Sequence, residues 1–296
     1  MVAENRSFGG VQGLTDRKGW QRNVVSLAVV ALRPILVRII LKELKMLLAS
    51  ENRQTRTRHS RYYFLHTPDA FLGSPLPGLR NATAITHVTP GIGAQFKQYT
   101  VEFHQGGFLD FNADQHFLYV LEGEVEIEEH LLQVGDYAYI PGDREVRALA
   151  TLTARATVIE IPLLLGAINT QVRKLFVGRE SSIESTSMFG DLFVQVRALI
   201  PNTQTLNFIV STVTYQPGAT SPRVEVHGAE RSILILSGGG IARLGQDWHR
   251  VTGGDFIWIG PGCPQWFGAL GNIPTTYLIY QHANLHILNP ESACGR

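Results

Sequence analysis

Glu225 and His227 stand two residues apart in Glu225-Val-His-Gly-Ala-Glu-Arg231. On an extended strand this spacing sends the carboxylate and the imidazole to the same face. Gln265, just past the turn at Pro261-Gly262, adds an amide oxygen. Carboxylate, imidazole and amide oxygen converging inside a barrel are a donor set for a divalent cation. Arg231 is the discordant member, because a guanidinium has no lone pair to donate and stays protonated.

The segments around these residues read as strands of a barrel. Ile233 to Leu236 is an apolar run that ends in Gly238-Gly-Gly240, and Phe256 to Ile259 is a second run closed by Pro261-Gly262. From Tyr62 onward, short β-branched and aromatic runs alternate with Gly, Pro, Asn and Asp, the pattern of an antiparallel all-β fold. The pattern occurs twice. Leu121-Glu-Gly123 answers Leu236-Ser-Gly238, and Gly135-Asp136 answers Gly254-Asp255, with 12 residues between the landmark glycines in one half and 16 in the other. An internal duplication accounts for this, giving two tandem antiparallel β-barrels. The expected division is a basic extension over residues 1–58 and an N-terminal barrel over 59–165. A linker over 166–189, a C-terminal barrel with the site over 190–285 and a tail over 286–296 complete it.

Paired motifs closing on glycine turns resemble those of the cupins. At finer grain, Glu225-x-His227 and Gly254-Asp-Phe-Ile-Trp-Ile-Gly-Pro-Gly-Cys-Pro-Gln-Trp-Phe-Gly-Ala-Leu-Gly271 resemble (S)-ureidoglycine aminohydrolase. Thr67-Pro-Asp-Ala-Phe71, Ser74-Pro-Leu-Pro-Gly78, Glu122-Gly123, Asp136 to Pro141 and Tyr277-Leu-Ile-Tyr280 extend the resemblance over about residues 60 to 285. It implies a bicupin fold, a structural N-terminal barrel and a homo-oligomer. The implied activity is manganese-dependent hydrolysis of ureidoglycine to ureidoglycolate and ammonia, within allantoin and purine catabolism. It also implies Mn²⁺ on Glu225, His227 and Gln265, catalytic roles for Glu225 and Tyr277, and a substrate carrying ureido and carboxylate groups.

The same comparison marks three departures. Arg231 stands where the family has a second histidine ligand, Gln281 where it has a carboxylate-binding lysine, and Ala242 where it has a tyrosine. The substrate-facing set is therefore Tyr277, Arg231 and Gln281. Either Arg231 swings out of the site, or the site does not hold metal as the family does. A strand bulge turning Glu230 inward, or three protein ligands with an open position, would restore coordination. Without metal, Glu225 and Arg231 would pair across the cavity, and the chain would be a catalytically impaired binder of a small carboxylate. Glu230 is expected to be solvated or paired with Arg231. In the first barrel Asp114 and His116 share a strand face, but Asp143-Arg-Glu-Val146 offers nothing where Gln265 stands. They are expected to be ordinary strand residues.

Composition narrows the partners. The net charge of +1 over 296 residues offers no basic stripe for nucleic acid. Cys263 and Cys294 cannot form a disulfide framework. Residues 1–58 are nonetheless basic, with 11 Lys and Arg against 4 Asp and Glu. The apolar run from Val24 to Leu32 is broken by Arg33-Pro34 and Arg38, short of the roughly 20 residues a membrane span needs. The expected location is cytoplasmic, and Met46 is read as the native start.

Overall fold

The computed structural model describes residues 55–111, 114–162, 174–200, 206 and 208–282. The basic extension before residue 55, the Met46 start, Cys294 and the tail from residue 283 lie outside the described residues.

The regular structure of the described residues is nearly all strand, with three single-turn helices beside it. A ten-stranded sheet holds the first barrel, with Lys97–Phe111 at its centre between Ala154–Ile161, Val146–Ala150 and Leu79–Val88. An eight-stranded sheet and a three-stranded sheet hold the second barrel. In the eight-stranded sheet Arg231–Ser237 runs between Phe256–Ile259 and Thr275–His282. In the three-stranded sheet Gly239–Leu244 runs between Asp247–Thr252 and Gln265–Ala269. Gly240, Ala242 and Leu244 are buried while Gly239, Ile241 and Arg243 are half-exposed, which is the two-residue period of a sheet with one wet face.

The duplication read from the landmark glycines is present in the backbone. Gly123 and Gly238 have φ of 70° and 76°, and Gly135 and Gly254 have φ of 84° and 90°. All four lie in the left-handed region that glycine enters without a Cβ penalty. At Gly238 a Cβ would sit 2.6 Å from the Pro274 carbonyl oxygen, so the turn excludes other residues twice over.

The barrels exchange strands, which moves the expected boundaries. Tyr63–His66, placed by sequence in the N-terminal barrel, pairs with Phe256–Ile259 of the C-terminal one. Phe176–Arg179, placed in the linker, pairs reciprocally with Asp136–Ile140 of the N-terminal barrel. Matching ion pairs hold both exchanges. Arg56 donates to both oxygens of Asp255 at 2.7 and 2.8 Å, and Arg179 donates to both oxygens of Asp136 at 2.9 and 3.1 Å. Each aspartate also accepts the backbone N–H three residues before it, from Thr252 and Gln133. The aspartate of the Gly-Asp turn is thus the latch for the visiting strand.

Each barrel has its own apolar core. A third cluster, including Phe96, Phe117, Tyr139, Phe208, Phe256 and Tyr280, lies between them and draws on both halves. The resulting scaffold fixes the interior of the C-terminal barrel, where the candidate residues lie.

Candidate active site

Glu225 and Gln265 form an isolated antiparallel bridge, exchanging two backbone hydrogen bonds of 2.8 Å. This contact brings the Glu-x-His segment, which belongs to no regular strand, against the start of Gln265–Ala269. Arg231 opens the next strand and is held in register by Ile259 on one side and Gln281 on the other. The three expected ligands and the arginine therefore meet by backbone pairing. Glu225, Arg231 and Gln265 line a cavity of about 170 Å³ with Tyr277, Tyr215, Gln281, Ala242 and apolar side chains, and His227 stands behind them against Glu225 and Arg231.

The polar groups form a closed chain. The Arg231 Nη2 lies 2.8 Å from His227 Nδ1, and His227 Nε2 lies 3.1 Å from Glu225 Oε2. A guanidinium can only donate, so Nδ1 must accept. The proton of the neutral imidazole then sits on Nε2 and is donated to Glu225. Arg231 Nη1 lies 3.8 Å from the same carboxylate oxygen. Burial tends to raise the Glu225 pKa. The hydrogen bond from His227, with the guanidinium charges of Arg231 and Arg223, outweighs it and holds the carboxyl below its ordinary value. Burial lowers the Arg231 pKa to about 10 against the opposing pull of Glu225. Arg231 Nε and Gln265 Oε1 are both buried without a hydrogen-bond partner.

A divalent ion does not fit these side chains as they stand. His227 has no lone pair left, because Nδ1 accepts from Arg231 and Nε2 carries the proton. A guanidinium about 4 Å from a dication would repel it by about 8 kcal/mol at an effective dielectric near 20. No group of three His, Cys, Asp or Glu side chains suited to a metal occurs among the described residues. Glu230 does not restore coordination. It is buried rather than solvated, and it accepts from Gln95 N–H at 2.8 Å and from Trp258 Nε1 at 3.0 Å, not from Arg231. Burial raises its pKa against these two donors.

One residue lining the site, Tyr215, was not anticipated. The Tyr277 hydroxyl donates to Tyr215, whose own hydroxyl lies 3.2 Å from Ser221 Oγ, and burial raises the pKa of both tyrosines. Tyr215 ends its strand just before Gln216-Pro-Gly218, an ordinary turn signal that carries no mark of a site. In the first barrel His116 is buried against Phe111, inside the core rather than in a cavity. Cys263 is likewise a small buried residue.

Two barrels closing on each other, with polar groups gathered inside the second, define a cupin. The family model for the cupin domain matches residues 211–280. The structure of Ylba from Escherichia coli shares the fold, with a TM-score of 0.70 over 80% of this chain and 98% of that one at 22% identity. The chain belongs to the (S)-ureidoglycine aminohydrolase family, hydrolases acting on carbon–nitrogen bonds. The "Probable (S)-ureidoglycine aminohydrolase" of Oryza sativa subsp. japonica is 32% identical over 244 residues, covering 78% of this chain and 76% of the relative. The (S)-ureidoglycine aminohydrolase of Arabidopsis thaliana is 30% identical over 237 residues, covering 78% of both.

Proposed function

We propose that the C-terminal cavity hydrolyses ureidoglycine or a close ureido acid, releasing ammonia and leaving the ureido hydroxy acid. In the balanced step the carbon–amine bond breaks, a carbon–oxygen bond forms from water, and nothing is oxidised. The observation that carries the reading is a pair of unpartnered buried groups on residues that line the cavity, a donor at Arg231 Nε and an acceptor at Gln265 Oε1. Buried polar groups without partners are costly. A ureido group next to a carboxylate satisfies both, offering carbonyl or carboxylate oxygen to the arginine and N–H to the glutamine.

The remaining roles follow from charge and position. Glu225 stays ionised at neutral pH and is the base that takes the proton of the attacking water. Arg231 anchors the anionic end of the substrate in place of the lysine replaced by Gln281. Tyr277, fixed by Tyr215, orients the substrate. The donor set does not fit manganese, so no step here runs through an ion. Among the described residues no helix is long and apolar enough to cross a membrane. A homo-oligomer acting in purine catabolism remains part of this proposal.

A second reading is favoured by one observation, the chain of contacts that joins Arg231 to His227 and both to Glu225. With their charges already matched, the cavity would bind a small carboxylate without turning it over. Ammonia release from ureidoglycine separates the two. A rate above the spontaneous background supports hydrolysis, whereas tight binding of the substrate at background rate supports the binder.

A further inference from the structure

We propose that the Arg231 guanidinium is the resident cation of this site, so that the chain holds no divalent ion there and a single substitution at this position opens the site to one. Three observations converge on it. First, the hydrogen bond from Arg231 to His227 Nδ1 removes the lone pair a metal would need, and fixes the proton of Nε2 toward Glu225. Second, Arg231 is not a side chain free to swing away. It is buried, and its backbone is clamped between Ile259 and Gln281. Third, the neighbouring carboxylate that would offset an added charge, Glu230, is tied to Gln95 and Trp258.

The positive charge that stabilises Glu225 and receives an anionic ligand is therefore built into the chain. Gln265 Oε1 is a buried acceptor with no hydrogen-bond partner. Its neighbours Glu225 and His227 remain in place. Replacing the guanidinium by an imidazole would free His227 Nδ1 and add a fourth donor, giving Glu225, His227, residue 231 and Gln265 as a site for a six-coordinate ion completed by water.

The test is the manganese content of wild type and Arg231→His, purified without chelator and dialysed, with the thermal midpoint of each measured in Mn²⁺ and in chelator. Wild type is expected to carry less than about a tenth of an ion per chain and to melt at the same temperature in both buffers. Arg231→His is expected to carry about one ion and to melt higher in Mn²⁺, because an ion bound only by the folded state raises its midpoint. If Arg231→His does not fold, Arg231→Gln, neutral and bearing an amide oxygen, takes its place with the same expectation at lower affinity. About one ion per wild-type chain overturns the inference, as do folded variants that stay metal-free. Neither readout uses turnover, so failure of the hydrolysis proposed above would leave this inference standing.

Discussion

Arg231 is the residue on which the proposed chemistry turns, and its consequence for Glu225 is specific. A carboxylate buried in an apolar cavity would ordinarily be pushed toward its neutral form. Here His227 and Arg231 reverse that push and keep Glu225 ionised. Its site pKa lies below the ordinary value, so the base is available from neutral pH down through the usual carboxylate range. Activity should fall only as the pH drops below that range. Glu225→Gln keeps the shape and removes the base. It is expected to lower kcat by about 100-fold or more, the scale of a lost general base, while leaving KM within a few-fold. An unchanged kcat would remove Glu225 from the mechanism. That Glu225, His227 and Gln265 lie close together was legible from short sequence motifs, although the Glu-x-His segment turns out to be an isolated bridge to Gln265 and not a regular strand. The fate of Arg231 was legible only as a conflict. Whether it swung out or turned in depended on pairing with Ile259 and Gln281, which no local pattern records. Glu230 was misjudged for a related reason. Its partners come from residue 95 and from a tryptophan across the sheet, and sequence adjacency to Arg231 suggested the wrong one.

At the scale of elements, the Gly-Asp turns combine two functions that the sequence shows as one motif. The glycine makes the turn, and the aspartate catches the arginine that accompanies the strand from the other half. Asp255 is fully buried and accepts from Arg56 and from Thr252 N–H. Asp255→Ala would leave that N–H unpaired and release Tyr63–His66 from the edge of Phe256–Ile259. The expected loss is about 2–4 kcal/mol of stability, read as a shift in denaturation midpoint, the range for removing a buried charged acceptor. A loss under about 0.5 kcal/mol, as for a surface change, would show that the latch is ornamental. The turns were readable because positive φ at glycine is a local property. The exchange of strands was not. It pairs residues near the start of the described chain with residues some two hundred positions later, and edge strands of similar apolar pattern carry no label of their partner.

The described residues form two barrels with an apolar cluster between them, and their packed interior buries imidazoles that must stay neutral. Burial lowers the pKa of His87 from 6.5 to about 3 and of His116 from 6.5 to about 4, and lowers that of His66. Below pH 6.5 the unfolded chain takes up protons that these folded imidazoles refuse, so stability falls as the pH drops from about 6.5 toward 4. His116→Phe places an isosteric ring against Phe111 and removes one such group. Between pH 7 and pH 5 the variant should lose about 2 kcal/mol less than wild type. Parallel losses would mean that His116 protonates freely in the folded state. The duplicated all-β architecture was readable from the regular return of glycine turns. The apolar contact between halves was not, since a strand buried on both faces looks the same whichever layer covers it.

The measurement closest to the central claim is ammonia release from ureidoglycine by wild type in the presence of a chelator, run beside Glu225→Gln and a protein-free control. If the C-terminal cavity works through its own side chains, wild type exceeds the spontaneous rate in chelator and Glu225→Gln does not. A wild-type rate equal to the control would contradict the account of this cavity as a hydrolytic site.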